Sequence, residues 1–324
     1  MKPSIYITRK LPESVIAPLQ SEFEVDMWEH GDVPVPRDIL LRKAESATAL
    51  LTMLSDRIDK ELLQKSPSLK VVANLAVGYD NIDLEAAKEL GITICNTPDV
   101  LTETTADLTF ALLMATARRI VEADRYIKEG KWKSWSPLLL SGMDIHHKTI
   151  GIVGMGSIGE AVARRAKGFN MNVLYHNRSR KHEAERALGV QYVTFDDLLI
   201  QSDFVVVLAP LNEGTNGMFQ EEQFTMMKKN GIFINAARGA IVSEEALEKA
   251  LKRGDIAGAG LDVFEAEPID ADHPLLALDQ VVAIPHIGSS SKETRYEMMA
   301  LCVENIQAVI KGDQPKTEVQ RKKA

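Results

Sequence analysis

Short, continuously apolar runs alternate along this chain with longer segments whose apolar positions recur every three or four residues. Runs at 4–8, 23–28, 47–54, 70–76 and 92–96 predict strands, and segments 37–44, 60–66 and 84–90 predict helices between them. Gly91 stands where a glycine ends a helix. Strands alternating with helices imply a parallel sheet covered on both faces, because a parallel connection needs a crossover long enough to hold a helix. The alternation stops at Asn96-Thr97-Pro98. A long helix is expected over 102–119, and then an irregular segment, 126–147, that carries Trp132, Trp135 and Pro137. Alternation resumes with strands expected at 172–176, 204–209, 231–235, 258–263 and 281–284. Runs such as Val205-Val206-Val207-Leu208 have no polar side, which suits strands buried on both faces. An amphipathic helix over 292–310 closes the pattern, and the polar residues 313–324 are expected to form a flexible tail with little to bury.

Near the middle of the chain, the apolar run ending at Val153 leads into Gly154-Met155-Gly156-Ser157-Ile158-Gly159. This is G-x-G-x-x-G between a strand and a helix. The first glycine allows a tight turn, the second lets backbone amides approach a pyrophosphate, and the third lets the helix pack close to the strand. Without the strand and helix around it the motif would be weak; with them it predicts a dinucleotide site built from residues 154–159. The next strand ends in Tyr175-His176-Asn177-Arg178-Ser179-Arg180. NAD sites usually place there an acid for the ribose 2′-hydroxyl. Here the nearest acids, Glu183 and Glu185, lie inside the following helix. Asn177, Arg178, Ser179 and Arg180 offer cationic and hydroxyl donors for a 2′-phosphate instead, so NADP(H) is favoured over NAD(H).

Composition narrows the setting. The 324 residues suffice for two ordinary domains. A net charge of −8 argues against a nucleic-acid surface. No apolar stretch is long enough to span a bilayer, and residues 1–10 lack the apolar core of a secretion signal. Cys95 and Cys302 are the only cysteines, which argues against a disulfide framework and fits a reducing, cytoplasmic setting. The adjacent His146 and His147 lack metal-ligand spacing, and no metal is expected. Tryptophans in an irregular loop usually pack against something, and a second subunit is the preferred partner for Trp132 and Trp135.

Three ionisable residues follow three late strands: Arg238, Glu267 and His286. In open parallel sheets the ligand crevice lies at the carboxyl ends of the strands, so all three should face the crevice of the glycine turn. Their types suit reduction of a 2-keto acid. Arg238 can hold a carboxylate and polarise the neighbouring carbonyl through its planar fork. His286 can donate a proton to the carbonyl oxygen as hydride reaches carbon. Glu267 would orient the imidazole and favour its charged form. Asp262, within its strand, is an alternative partner for His286 or a contact for the nicotinamide end.

These residues resemble the D-isomer-specific 2-hydroxyacid dehydrogenases. The matching segments are Ala76-Val77-Gly78-Tyr79-Asp80-Asn81-Ile82-Asp83, the glycine turn, Asn235-Ala236-Ala237-Arg238-Gly239, the stretch from Gly260 to Pro268, and Pro285-His286-Ile287-Gly288. The stretch from Asn96 to Asp107 and Lys133-Ser134-Trp135 further resemble the glyoxylate/hydroxypyruvate reductase branch, which includes 2-ketogluconate reductases. The resemblance implies an α/β protein of two doubly wound parallel-sheet domains. A Rossmann nucleotide-binding domain, 99–288, would be inserted into a flavodoxin-like substrate domain, 1–98 plus 289–312. It implies a catalytic trio of Arg238, Glu267 and His286, and a substrate carboxylate on the backbone amides of Val77 and Gly78. It also places Thr104, Pro210, Ala236, Asp262 and Gly288 along the cofactor and makes a homodimer usual. Ser243, where an acid is common, and His147, where glycine is common, are its departures. Phosphoglycerate, lactate and formate dehydrogenases are rival readings within the family, and a non-catalytic nucleotide-sensing scaffold is the rival outside it.

Overall fold

Strands buried on both faces, each followed by a segment with one apolar face, can only be joined by crossovers, so they run parallel. The computed structural model describes residues 2–319. It divides into two compact units: the chain up to Leu101 with the residues from Ser291 onward, and Thr102–Ser290 between them.

The first unit contains β1 (Ser4–Ile7), α1 (Glu13–Glu22), β2 (Glu24–Met27), α2 (Arg37–Ala44), β3 (Ala49–Thr52), α3 (Lys60–Gln64), β4 (Val71–Asn74), α4 (Leu84–Glu89) and β5 (Thr93–Cys95). All pairings are parallel, in the order β2-β1-β3-β4-β5 of flavodoxin-like sheets. On one face, Tyr6, Leu50, Val72 and Ile94 pack against apolar residues of α2, α3 and α4, such as Leu40, Leu62 and Ala86. Asp59 and Asp83 begin α3 and α4 by accepting the Leu62 and Ala86 amides. The apolar pattern did not predict α1. It contains Pro18, a usual helix breaker, yet buries Val15, Ile16 and Leu19.

The second unit opens with α5 (Thr102–Ala117) and α6 (Ile120–Lys128). The single helix expected over 102–119 ends at Ala117, and Arg119 turns the chain through a left-handed φ of 52°. The sheet follows: β6 (Thr149–Val153), α7 (Ser157–Gly168), β7 (Asn172–His176), α8 (His182–Leu188), β8 (Gln191–Tyr192), α9 (Phe195–Gln201), β9 (Phe204–Val207), α10 (Glu221–Met226), β10 (Ile232–Asn235), α11 (Glu244–Arg253), β11 (Gly258–Leu261) and β12 (Val281–Ala283). Its parallel strands take the order β12-β11-β10-β9-β6-β7-β8, a Rossmann arrangement. Alternate residues feed two cores. Ile150, Ile152, Val206 and Ile234 pack with α5 and α7, while Val205, Val207 and Phe233 meet Phe219, Phe224 and Leu247 on the other face.

The chain then returns to the first unit through α12 (Lys292–Lys311), which packs on α1, β3, β4 and β5. The expectation of a flexible tail needs correction over 313–319. Asn305, buried in α12, accepts the Lys316 and Thr317 amides at 2.8 and 3.3 Å, and the Val319 amide donates to Ile94 O at 2.8 Å. Polar composition concealed this because hydrogen bonds to a buried asparagine and to β5 anchor the segment, with Val319 alone adding apolar contact to the core. Residues 320–324 lie outside the described residues.

One glycine locks two loops of the second unit together. Gly239, directly after Arg238, is so close to the backbone that precedes Glu267 that a Cβ there would overlap the Phe264 carbonyl. Overpacking a well-packed site costs roughly 1–3 kcal/mol. Gly239→Ala should therefore lower the melting temperature by at least about 2 °C, given ~2–4 °C per kcal/mol for a unit of this size. An unchanged melting curve in differential scanning calorimetry would show that the two loops yield freely.

Candidate active site

The glycine turn follows β6 where the strand order reverses, between β6 and β9, and such a reversal opens a crevice at the carboxyl ends of the strands. Gly154 takes φ +107°, and a Cβ on it would stand 2.5 Å from the Ala209 nitrogen. A Cβ on Gly159 would overlap the Gly154 carbonyl, so α7 packs directly on the turn. At Gly156 a Cβ would meet nothing within 4 Å. The backbone is open there, and α7 begins with no side-chain cap. Its first-turn amides and dipole are left for phosphate oxygens, and these residues fit a dinucleotide. Ser157 is exposed beside them and Ile158 is half-buried. Met155 contributes less than its place in the motif suggests. Its side chain is buried in the core, and its amide donates to Asn177 Oδ1 at 2.7 Å. Asn177 thus braces the turn.

The two arginines after β7 have different surroundings. Arg178 and Ser179 are exposed, with no partner among the described residues. Arg180 is already engaged: its Nε and Nη2 donate to Glu185 at 2.8 and 3.0 Å, and its guanidinium lies 5.8 Å from the centre of the Tyr192 ring. Glu185 also accepts the Tyr175 hydroxyl at 2.7 Å. The Arg180 and Tyr175 hydrogen bonds hold the Glu185 carboxyl down to about 2, so it stays ionised at neutral pH. Sequence order hid this pairing because Glu185 reaches back from α8.

Arg238, Glu267 and His286 follow the neighbouring strands β10, β11 and β12. Asn235 shapes the first turn: its Nδ2 donates to Arg238 O at 2.9 Å and its Oδ1 accepts the Ala237 amide at 3.1 Å. Glu267 is divided between two donors. Its Oε1 accepts the Phe264 amide at 3.1 Å, and its Oε2 lies 2.7 Å from His286 Nδ1. Burial raises the Glu267 carboxyl, but the His286 hydrogen bond and charge, the Phe264 amide and the Arg238 charge together hold it below the usual range. A carboxylate can only accept, so Nδ1 carries a proton. Nε2 has no partner among the described residues.

His286 sits at φ +50°, a left-handed conformation that non-glycine residues seldom adopt. Asp262 holds it there. The His286 amide donates to Asp262 O at 2.9 Å, and the Ile287 amide to Asp262 Oδ1 at 2.6 Å. Burial pushes the Asp262 carboxyl up despite the Ile287 and Gly288 amides and the His286 charge. Glu267, not Asp262, takes the imidazole; Asp262 takes the backbone beneath it. Gly288 stays small because a Cβ would come within 3.1 Å of Asp262 Oδ2. Pro210 and Ala236 follow β9 and β10, and Thr104 lies in the first turn of α5. Among the described residues, no three His, Cys, Asp or Glu side chains are grouped to hold a metal, and no helix is long and apolar enough to cross a membrane.

In the first unit, Val77 and Gly78 lie in the loop after β4. Three successive carbonyls of that loop are taken. Ala76 O accepts the Thr97 amide at 2.8 Å, Val77 O accepts Asn96 Nδ2 at 2.8 Å, and Gly78 O accepts Asn74 Nδ2 at 3.0 Å. The amides of Val77, Gly78 and Tyr79 have no partner among the described residues. A trans peptide sets its N–H opposite its C=O, so tying the carbonyls turns these amides away from their clamps. Sequence reading missed Asn74 and Asn96. One lies inside a strand and the other at the break in the alternation, although both flank the Ala76–Asp83 segment.

The D-isomer specific 2-hydroxyacid dehydrogenase, NAD binding domain family matches residues 110–288. The chain is 52% identical to the glyoxylate reductase of Pyrococcus horikoshii, over 99% of this chain and 97% of that one. It is 50% identical to the glyoxylate reductase of Korarchaeum cryptofilum, over 97% and 95%. Its structure is similar to that of the TT0316 protein of Thermus thermophilus, with a TM-score of 0.92 and 44% identity over 98% of this chain and all of that one. It is also similar to an NADPH-dependent glyoxylate/hydroxypyruvate reductase of Sinorhizobium meliloti in complex with NADP and malonate, with a TM-score of 0.85 and 32% identity over the whole of both chains. Identity at this level over nearly the full length, on the same two parallel-sheet units, means that the chain belongs to the D-isomer specific 2-hydroxyacid dehydrogenases and is an NAD(P)-dependent dehydrogenase.

Proposed function

We propose that this enzyme reduces a small 2-keto acid to the D-2-hydroxy acid, with glyoxylate as first candidate, hydroxypyruvate and 2-ketogluconate as further ones, and NADPH preferred to NADH. The observation that carries the reading is the His286–Glu267 pair at 2.7 Å with Nε2 unpartnered. The names of relatives at 50–52% identity support glyoxylate. A reduced nicotinamide dinucleotide, its pyrophosphate held by the glycine turn, would supply the hydride. Glu267 accepts His286 Nδ1–H and so fixes the ring, and the Nε2–H of the protonated imidazole donates to the carbonyl oxygen and passes its proton there as negative charge develops. Arg238 polarises the same carbonyl, and the Val77 and Gly78 amides take the carboxylate. Because Arg180 is committed to Glu185, a 2′-phosphate falls to Arg178 and Ser179.

A homodimer is part of this proposal. None of the residues of α6 is buried, although Ile120, Ala123 and Ile127 share one of its faces. Beyond it, Trp135 and Leu138 are 78% and 81% exposed. An apolar helix face and loop left in water mark an interface, and a second copy supplies a self-complementary one.

Three measurements test these readings. His286→Ala should lower kcat by about 10²–10⁴, the usual worth of a general acid, with NADPH affinity unchanged; near-normal turnover would remove His286 from the chemistry. Arg178→Ala should raise KM for NADPH well above any change for NADH, and Arg180→Ala should do so less; a larger effect at Arg180 would reverse the assignment. Light scattering should give about twice 35.8 kDa for the native chain and 35.8 kDa for the Ile127→Asp, Trp135→Ser double variant. A monomeric native chain contradicts the dimer.

A further inference from the structure

The loop that presents the Val77 and Gly78 amides has no helix dipole and no cationic side chain from its own residues to attract a carboxylate. The donors argued to hold the carboxylate are peptide N–H groups, and their direction is decided by what holds the carbonyls. Asn96 Nδ2 holds Val77 O, and so orients the Gly78 amide that shares its peptide plane. Asn74 Nδ2 holds Gly78 O, and so orients the Tyr79 amide. Neither asparagine is loose. Asn74 is fully buried, its Oδ1 accepts Thr52 Oγ1 at 3.1 Å, and its Nδ2 also reaches Asn81 Oδ1 at 3.2 Å. Asn81 in turn donates to Asp56 O at 2.9 Å and Met53 O at 3.2 Å. Asn96 is 9% exposed, and its backbone is tied to Thr317 on both sides.

We propose that Asn96 and Asn74 are positioning residues for substrate binding: by clamping the Val77 and Gly78 carbonyls they hold the Gly78 and Tyr79 amides turned toward the substrate carboxylate. The clamps sit on the far side of the peptide planes and act through the loop. An asparagine is suited to this because its amide donates without carrying a charge that would need its own partner in a buried site. Preorganised donors bind an anion without a reorganisation cost, whereas a loop free to flip a peptide would present a carbonyl to the carboxylate in part of its population.

This inference rests on the reading that the Val77 and Gly78 amides bind the carboxylate, to which it adds the neighbouring Tyr79 amide, and the two are separable. Glyoxylate kinetics are measured on the full-length enzyme and on Asn96→Ala, Asn96→Asp and Asn74→Ala. Asn96→Ala should raise KM for glyoxylate by about tenfold, the scale of one buried hydrogen bond, with a smaller effect on kcat and none on KM for NADPH. Asn96→Asp should show the same rise near pH 7.5. Relative to the native enzyme it should then recover as pH falls, because a protonated carboxyl donates again. General damage to the fold would not be repaired by acid. If Asn74→Ala does not fold, the two Asn96 variants carry the test alone. An unchanged KM for glyoxylate in both, or an equal rise for NADPH, overturns the positioning role. A crystal structure of the native enzyme with NADPH and oxalate separates the readings. Oxalate away from the Val77 and Gly78 amides overturns the carboxylate site itself, whereas oxalate on them together with unchanged KM values overturns only the clamps.

Discussion

A parallel strand cannot meet its neighbour through a tight turn. The chain must cross back over a face of the sheet, so every strand of a parallel sheet delivers its carboxyl end to the same edge. The candidate chemistry of this enzyme depends on that constraint. Arg238, Glu267 and His286 are scattered over about fifty residues, yet they follow β10, β11 and β12, which lie side by side. The glycine turn reaches the same edge from β6, at the reversal of strand order.

Bringing residues to one edge does not set their distances to hydrogen-bond precision. Backbone contacts that only particular residues permit do this here. Gly239 lets the Arg238 turn rest on the backbone of the loop that carries Glu267. Asp262 holds the left-handed backbone at His286, leaving Glu267 to meet the ring. Two carboxylates near one imidazole therefore have different surroundings. The buried Asp262 is raised, and Glu267 is lowered by the cations and amide around it.

In the proposed carboxylate site the first unit would rely on amide direction, where the proposed trio of the second relies on charge. The run after β4 offers peptide N–H groups whose orientation is a consequence of side chains behind them. The Tyr175–Glu185–Arg180 cluster does comparable work beside the glycine turn, since it pairs one exposed cation and leaves Arg178 and Ser179 open. In both places, polar residues that look interchangeable in the sequence differ in which of their atoms remain available.

Periodicity alone made the two parallel sheets legible, because apolar runs separated by one-sided segments allow little else. The glycine spacing did the same for the phosphate turn, since three close backbone approaches demand three glycines. Placement at successive strand ends singled out Arg238, Glu267 and His286. Other features depended on contacts between residues far apart in the chain. That Glu267 rather than Asp262 reaches the imidazole, that Arg180 is spent on Glu185, and that Asn74 and Asn96 brace a loop required the packed chain. So did the anchoring of 316–319 by Asn305 and β5. Secondary structure follows from the order of apolar and polar residues, which the sequence states outright. A hydrogen bond depends on where two side chains come to rest, and only the folded chain decides that.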